Sequence, residues 1–418
     1  MNLPVRVLAA VVATLGGAPG TTAGAAPVAA ASQIAAANPI AAANPIAATR
    51  PAGVQCAKPA TIPDPSIPWA QRRLAADRAW PLTRGESTLV AVVDTGVSAR
   101  APALAGAVAA GRDVVSGGPA DTDCSGHGTF VAGLLAARPT PGTGLAGVAP
   151  AVRVLPIRVT ESPDQVDPAM LAAGIRAAVD ATARVVAVSV STPTDSAAVR
   201  AAVSYAEQRD VLVVAAAQAA ADPPRGPNAG PTPLAYPAAL PGVLGVAPVG
   251  PDGTPTADTS AESRPRLAAP GSSLTSIAPA GPGNFGASGH GLAVPFVAGA
   301  AALVRSYRPG LSAAAVRHRL EATADHPSTH LPHPLLGYGI VDPFAAVATV
   351  LPEESGDREP SLWPQPVSVP VTTPADPRPA RLALAASAAL VVAVGLGSLL
   401  AATATRGRRR RWRPAGAP

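Results

Sequence analysis

An excess of charge of one sign is missing from most of this sequence. The formal net charge is only +6 over 418 residues. Six arginines at the carboxyl terminus, with no acidic residue after them, are enough to supply it: Arg406, Arg408, Arg409, Arg410, Arg411 and Arg413. The rest of the chain is therefore close to neutral. Because nucleic-acid-binding domains carry basic charge on the folded surface, we expect no nucleic-acid partner.

Aromatic residues and cysteines are also scarce. Aromatic residues make up 3% of the chain and hydrophobic residues 48%, beside 50 prolines and 39 glycines. This mixture predicts a core of small aliphatic side chains flanked by extended segments. Cys56 and Cys124 are the only cysteines. In an exported chain such a pair is expected to form a disulfide, and the alternative is two free buried thiols.

The amino terminus has the pattern of an export signal. Arg6 precedes a short apolar run, and small residues follow around Ala23, Ala25 and Ala26. This pattern predicts a signal peptide over residues 1–26, whereas the alternative is a buried amino-terminal strand. Residues 27–55 repeat "IAAANP" and have too little apolar bulk for a core, so they are predicted to form a low-complexity leader.

The carboxyl-terminal region has the pattern of a membrane anchor. Residues 382–405 carry no charge, and at 1.5 Å per residue a helix of that length would span ~36 Å, enough to cross a bilayer core of ~30 Å. The basic tail over residues 406–418 predicts a cytoplasmic end, with the folded part outside the cell membrane. A buried core helix is the alternative. Residues 351–381 are proline-rich and are predicted to form an extended linker.

The region from 56 to 350 alternates between two patterns. Five nearly continuous apolar runs are typical of strands buried on both faces of a parallel sheet: "STLVAVVDTG", "VRVLPIRV", "RVVAVSVS", "VLVVAAA" and "VLGVAPVG". Helical patterns lie between and after them, one with Pro168 in its first turn and one with Ser312 as N-cap. The alternation predicts an α/β domain whose functional site lies at the carboxyl ends of the strands.

Three segments combine such strand ends or helix starts with reactive side chains. "VAVVDTGV" places Asp94 just after a strand, and "DCSGHGTFVAGLLAA" places His127 at a helix start. "SGHGLAVPFVAG" opens a long helix with Pro295 in its first turn. This order of Asp, His and a glycine-rich helix start resembles the subtilisin-like serine proteases, over roughly residues 68–350.

Three further segments are "PWAQRRLAADRAWPLTRG", "AYPAALPGVLGVAPV" and "GYGIVDPFAAVA". They carry a narrower resemblance to the mycosins, the membrane-anchored subtilases that accompany type VII secretion in actinobacteria. The resemblance implies a subtilisin-like three-layer domain with a mostly parallel central sheet, one transmembrane helix and serine endopeptidase ancestry. It also implies a Cys56–Cys124 bridge that ties an amino-terminal extension to the loop before His127.

The nucleophile expected from this resemblance is missing. An active member needs a serine that attacks, a histidine that takes its proton and an aspartate that orients the histidine. Asp94 and His127 match the last two roles, but Gly291 stands at the nucleophile position, in a register fixed by Ala293 and Pro295. In subtilisin, a relative by this resemblance, loss of the nucleophile lowers turnover by ~10⁶.

Two further parts of the implied site also depart from the family pattern. Ala219 stands at the position of the oxyanion-hole Asn, whose loss in subtilisin lowers turnover by ~10²–10³. Ala187 replaces the usual Asn in the strand that leads to the substrate-binding edge. The implied substrate cleft contains Ser189, Val190, Ser191 and His290.

Two functions therefore compete. The favoured one is a pseudoprotease with a structural or scaffolding role in a type VII secretion membrane complex. The alternative is an active serine endopeptidase that uses an unorthodox nucleophile to process secreted protein substrates. Ser288 is a poor replacement because it lies three residues upstream of Gly291 and would have to come within ~3 Å of His127. An aspartic protease needs a second Asp loop, and "ADTS" at Asp258 lacks the required glycine.

No metal or cofactor is expected. His290, together with Asp94 and His127, would form a set of residue types that can bind a metal, but an exposed loop histidine is the better interpretation. The other histidines are predicted to lie in a surface helix and loop: His318, His326, His330 and His333. No clear calcium loop is present in the sequence.

Overall fold

The computed structural model of the chain describes residues 56–218, 233–257, 259–354 and 378–409. The predicted signal peptide and leader lie outside the described residues, as do most of the predicted linker and the end of the basic tail. The described part consists of an α/β body over residues 56–354 and one further helix.

The centre of the body is a parallel sheet. Seven strands form it in the spatial order β2-β3-β1-β4-β5-β6-β7, and every pair is parallel. Their bounds are β1 Leu89–Asp94, β2 Arg112–Asp113, β3 Arg153–Arg158, β4 Val185–Val188, β5 Leu212–Ala216, β6 Leu244–Val249 and β7 Leu267–Pro270. A separate antiparallel hairpin pairs β8, Leu274–Ile277, with β9, Asn284–Ala287.

Helices cover both faces of the sheet. The helices of the body are α1 Trp69–Leu74, α2 His127–Ala136, α3 Pro168–Asp180, α4 Ala197–Gln208, α5 Val294–Tyr307, α6 Ala313–Ala322 and α7 Pro343–Ala348, and the further helix is α8 Arg378–Arg409. Alternate residues of β1 face opposite cores. Val90 and Val92 pack with α2 and α5, whereas Ala91 and Val93 pack with α3 and α4. The result is a three-layer α/β domain whose central strands are mostly apolar because both faces are buried.

The predicted α/β fold with a mostly parallel sheet is confirmed. Each of the five apolar runs contains a parallel strand, Pro168 begins α3, and the Ser312 hydroxyl caps α6 by accepting from the Ala315 N–H. The sequence interpretation missed β2, β7 and the β8–β9 hairpin. These elements contain two to four residues, and β7 ends in a proline, so none produces a long apolar run.

The residues before α1 run along the surface of the body. Cys56 is bonded to Cys124, as expected. The Ala57 N–H donates to the Cys124 carbonyl at 2.7 Å, and the Ala60 carbonyl accepts from the N–H of Gly283 at 2.9 Å. The disulfide and these backbone contacts therefore hold the amino-terminal extension against the domain.

The last described helix, α8, is longer than predicted. Its apolar part, Leu382–Gly407, contains an 18-residue window with a mean hydropathy of 2.2 and is long enough to cross a membrane. The helix begins at Arg378, inside the segment predicted as linker, and continues beyond residue 405 to Arg409. Helix α8 extends past its apolar part at both ends because arginine and alanine are themselves good helix formers.

Candidate active site

Asp94 lies at the carboxyl end of the central strand β1. The sequence had indicated that Asp94 directly follows the strand, whereas it is the last residue of the strand. Strands β3 and β4 flank β1 in parallel, and Asp94 is in register with Arg158 of β3. The Asp94 side chain is fully buried at this edge, the edge at which parallel α/β sheets place their functional sites.

His127 is the first residue of α2 and faces Asp94. Its Nδ1 atom lies 2.8 Å from each carboxylate oxygen of Asp94. About a fifth of the His127 side chain (21%) is exposed. Gly128 permits this close approach, since a Cβ there would lie 3.1 Å from the Cβ of Asp94. With Nδ1–H donating to the carboxylate, Nε2 is the ring nitrogen left to accept a proton.

The two side chains stabilise each other's charged form. Burial alone would raise the pKa of Asp94, but attraction to His127 and hydrogen bonds from His127, Ser189 and the Thr95 N–H outweigh it, so the pKa is lowered. Burial alone would lower the pKa of His127, yet the charge and the hydrogen bond of Asp94 raise it on balance. The pair is therefore arranged to hold an imidazolium against a carboxylate.

A polar network that the sequence interpretation missed supports this pair. The buried carboxylate of Asp123 accepts hydrogen bonds from the Gly126 N–H at 2.9 Å and from the Thr129 hydroxyl at 2.7 Å. It therefore fixes the turn that presents His127. On the other side, Arg158 donates to the carbonyl of Thr95 at 3.0 Å and fixes the chain after Asp94. The sequence did contain a signal for this network: Asp123 is a charged residue inside "DCSGHGT", and Arg158 is a charged residue at the end of an apolar strand.

Gly291 lies in a short 3-10 helix, His290–Ala293, that leads into α5. The space in front of its Cα is occupied by the backbone of Ser189. A Cβ at position 291 would overlap the Ser189 carbonyl oxygen and lie 2.8 Å from the carbonyl carbon. Real Cβ atoms essentially never come that close, and backbone atoms cannot rotate away as a side-chain end could. In this backbone arrangement glycine is the only residue that fits.

The segment implied as substrate edge is closed. Ser189, Val190 and Ser191 follow β4 and are 4%, 2% and 7% exposed. The Ser189 hydroxyl donates to Asp94, and the Ser191 hydroxyl donates to the carbonyl of Gln218 at 3.2 Å. Ser189 is thus bound to the aspartate and is not placed as a nucleophile beside His127.

The remaining candidate residues do not complete a nucleophilic site. Ala219 and Asp258 lie outside the described residues. The Ser288 hydroxyl accepts from the Ser273 N–H at 2.8 Å, so it is directed toward the loop after β7. Within the described ranges no three His, Cys, Asp or Glu side chains are grouped so as to hold a metal ion, and His290 therefore forms no such group with Asp94 and His127.

The other histidines lie near the carboxyl end of the body. His318 is an exposed residue of α6. The Nδ1 atom of His326 lies 2.5 Å from the carbonyl oxygen of Tyr338, and His333 accepts from the N–H of Leu335 at 3.2 Å. These contacts are local to the loop.

The arrangement has one half of a hydrolytic mechanism. Asp94 can orient His127 and stabilise the charge that His127 acquires on accepting a proton. No hydroxyl or thiol stands at position 291 to give up that proton. The described part of the site therefore contains an acid–base pair without its partner.

Comparison with known proteins agrees with the fold and with the positions of these segments. The model of the subtilase family matches residues 85–339. Mycosin-4 of Mycobacterium tuberculosis is 36% identical over 342 residues, covering 73% of this chain and 74% of the relative. Mycosin-3 of the same organism is 36% identical over 384 residues, covering 78% and 82%.

A solved structure gives the same result. The structure of the MycP3 protease from the type VII (ESX-3) secretion system aligns with a TM-score of 0.60 at 33% identity. The alignment covers 71% of this chain and 93% of that chain.

Proposed function

The chain belongs to the subtilase family, and on that premise we propose that it is a proteolytically inactive member, a pseudoprotease with a structural or scaffolding role in a type VII secretion complex. The observation that carries the proposal is the contact between Gly291 and the backbone of Ser189. Family membership does not itself supply activity, because a fold can keep its shape after the chemistry of its site is lost.

Three separate features support the loss of catalysis. Position 291 has no nucleophile and no room for one. Ala219 cannot donate the side-chain hydrogen bond of an oxyanion-hole Asn. The Ser189–Ser191 segment is buried, so it offers no open edge to an extended peptide. Each lies on a different segment of the chain, and a single substitution would not repair all three.

The Asp94–His127 pair is the one observation that favours the alternative. Its hydrogen bonds and raised imidazole pKa are those of a working general base. An active serine endopeptidase would need a hydroxyl from elsewhere to reach Nε2 of His127 and would process secreted substrates. The same pair also stabilises the junction of β1 and α2, which gives it a role without catalysis.

The proposed arrangement in the cell is a domain outside the membrane held by one helix. The signal pattern over residues 1–26, the leader 27–55 and the basic tail 406–418 support export with a cytoplasmic carboxyl end. Helix α8 supplies an apolar stretch of sufficient length. The body, over residues 56–354, would then be tethered by the segment between Glu354 and α8 and could contact membrane components of the secretion complex or its secreted proteins.

The body presents its site away from the point at which the chain leaves it. Helix α5 begins beside Gly291 and ends at Tyr307, a length of ~21 Å at 1.5 Å per residue. Arg308, just past that end, donates to the carbonyl of Thr349, where the body ends. A partner that binds near Asp94 and His127 would therefore approach from the end of α5 that lies away from Thr349.

Complementation separates the two functions. In a strain from which the gene is deleted, the unaltered chain and a His127→Ala variant should restore secretion and assembly of the complex equally. A chain truncated after residue 377 should be released from the membrane fraction and fail to restore it. If only the His127→Ala variant fails to restore secretion, although its abundance is normal, the endopeptidase function would be favoured. Normal secretion in the deleted strain would reject the scaffolding role.

A further inference from the structure

The described body has a large open cavity that is separate from the candidate active site. Its volume is about 900 Å³, within the ~300–1,000 Å³ range of ligand clefts. It is lined by the residues that precede β6 and β7, such as Val243 and Arg266, and by Arg317 of α6. It therefore lies at the amino ends of these strands, whereas Asp94 lies at a carboxyl end. We name it the β6–α6 groove.

The β6–α6 groove has an apolar floor and a basic rim. Leu234, Leu240 and Val243 line the floor, and Leu234 is 39% exposed. Leu240 is partly buried and packs against the core on the α3–α4 side of the sheet. An occupant of this floor would bury apolar surface at about 25 cal/mol per Å² removed from water.

The basic rim lacks matching acids. Arg266 is engaged by Glu321 through two hydrogen bonds, of 2.8 and 2.7 Å. Arg317 donates to the carbonyl of Gly242 at 2.9 Å and pairs with no carboxylate among the described residues. The side chain of Arg264, which is exposed, makes no hydrogen bond or ion pair within the described ranges, and its backbone N–H donates to the carbonyl of Ala261 at 3.3 Å. One acidic residue, Glu262, also lines the groove, but its carboxylate accepts from the hydroxyl of Ser260 and is paired with no arginine among the described residues. Two arginines at one rim without acidic partners indicate an occupant that carries negative charge.

The chain leaves the body at the helix that forms one wall of this groove. Arg319 of α6 is fully buried, and its guanidinium holds the carboxylate of Glu354, with the Nε–Oε1 bond at 2.6 Å. It also donates to the carbonyls of Ala346 and Thr349, at 2.7 and 2.9 Å. Glu354, the last described residue of the body, is therefore held against α6 by Arg319, two positions along the helix from Arg317.

We propose that the segment immediately after the body, residues 355–366, docks in the β6–α6 groove. Its sequence is "SGDREPSLWPQP". Asp357 and Glu359 supply the negative charge that the rim lacks, and Trp363, an even number of positions further along the chain, supplies apolar surface for the floor. In an extended chain alternate side chains point to opposite sides, so Arg358 would face away from the rim that Asp357 and Glu359 contact.

The length of the segment suits this path. At ~3.3 Å per residue, Asp357 can reach ~10 Å from Glu354 and Trp363 can reach ~30 Å. The wall to be crossed is one helix, ~10 Å in diameter with its side chains. The prolines at 360, 364 and 366 restrict the segment to extended conformations, which lowers the entropy lost on docking.

Docking would shorten the tether between the body and α8. The span between residues 355 and 377 has 23 residues and a maximum reach of ~75 Å. With 355–366 docked, 11 residues remain and the reach falls to ~36 Å. This consequence rests on the proposed membrane anchor, whereas the docking itself does not depend on it or on the loss of catalysis.

Cross-linking of the full chain in detergent micelles tests the docking. Both native cysteines are bonded to each other, so introduced cysteines are the only free thiols. Ser361→Cys is combined with Ser263→Cys, which lines the groove, and a short bismaleimide is added. The matched control combines Ser361→Cys with His318→Cys, an exposed position on the same wall helix that does not line the groove.

We expect the groove pair to cross-link at least tenfold faster than the control pair. Arg264→Glu, added to the groove pair, should remove most of that advantage at low salt, and thermal melting should show that the body remains folded. Equal rates for the two pairs would overturn the proposal, as would an advantage that Arg264→Glu leaves unchanged. Mixing chains with two different tags would reveal cross-links between molecules, and these would assign the groove to a second copy instead.

Discussion

Adding a single methyl group at position 291 should destabilise the protein. In Gly291→Ala the new Cβ would overlap the carbonyl oxygen of Ser189 and lie 2.8 Å from its carbonyl carbon. Relief requires a backbone shift, and such overpacking costs about 1–3 kcal/mol. A gain of up to ~1 kcal/mol from the reduced entropy of the unfolded chain would offset part of this cost. For a domain of this size the net loss corresponds to a fall in Tm of roughly 2–6 °C.

Gly289→Ala provides the matched control. It lies two residues away in extended backbone, at φ 172°, and its Cβ would meet only Leu292 at 3.6 and 3.8 Å. These are ordinary contacts, so its Tm should stay within about 1 °C of the unaltered chain. Thermal melting by circular dichroism compares the two variants directly. Equal Tm values for both variants would refute the reasoning that the Ser189 backbone excludes a side chain at position 291.

Three further results are expected. Asp94→Asn should lower the pKa of His127, measured by NMR titration, since Asp94 raises it in the folded protein. The raised pKa of His127 stabilises the folded protein below the unfolded pKa of ~6.5, and this stabilisation is lost as pH rises through the folded pKa. Asp94→Asn should therefore make the fall in stability with pH smaller. An unchanged titration of His127 would contradict the pairing. Arg319→Leu should reduce the free energy of unfolding by about 1–3 kcal/mol in urea melts, because the carbonyls of Ala346 and Thr349 lose their donor and Glu354 keeps only its ion pair with Arg308, and a loss below ~1 kcal/mol would contradict those contacts. Replacing Cys56 and Cys124 together by serine should cost about 2–4 kcal/mol in the same assay, and reducing agent should then have no further effect.

The long, regular elements of the fold were predictable from the sequence because their physical signals are local. The strands β1, β3, β4, β5 and β6 are buried on both faces and produce runs of Val, Ala and Leu. The short elements were not predictable in this way. Strand β7 and the β8–β9 hairpin are defined by pairing with distant segments, which leaves little trace in four residues.

The site was predictable as a set of residue types but not as a geometry. The sequence indicated that Gly291 lacks a nucleophile, and the segments around Asp94 and His127 indicated their pairing. It could not indicate that the Ser189 carbonyl fills the space in front of Gly291, since that contact joins residues 102 positions apart in the chain. The same limit hid the roles of Asp123 and Arg158, whose partners are brought close only by the fold.

This contact bears on the proposed loss of catalysis. A missing hydroxyl alone would be restored by Gly291→Ser. The Ser189 backbone, however, occupies the space that the serine side chain at position 291 would need, so the segment that follows β4 would have to move. The asparagine of the oxyanion hole would then still be absent at position 219. According to the proposed function, an active protease would require several coupled changes in this chain, at position 291, at position 219 and in the segment that follows β4. The Asp94–His127 pair would then persist as part of the fold.

Labelling with a fluorophosphonate probe tests the central claim most directly. The full chain in detergent would be treated beside a catalytically competent subtilase as positive control, and beside Gly291→Ser combined with Ala219→Asn. We predict no label on the unaltered chain and little on the doubly substituted variant, because the Ser189 backbone blocks the new serine. Stoichiometric labelling of the unaltered chain, abolished by His127→Ala and mapped to one serine, would contradict it and identify that serine as the nucleophile.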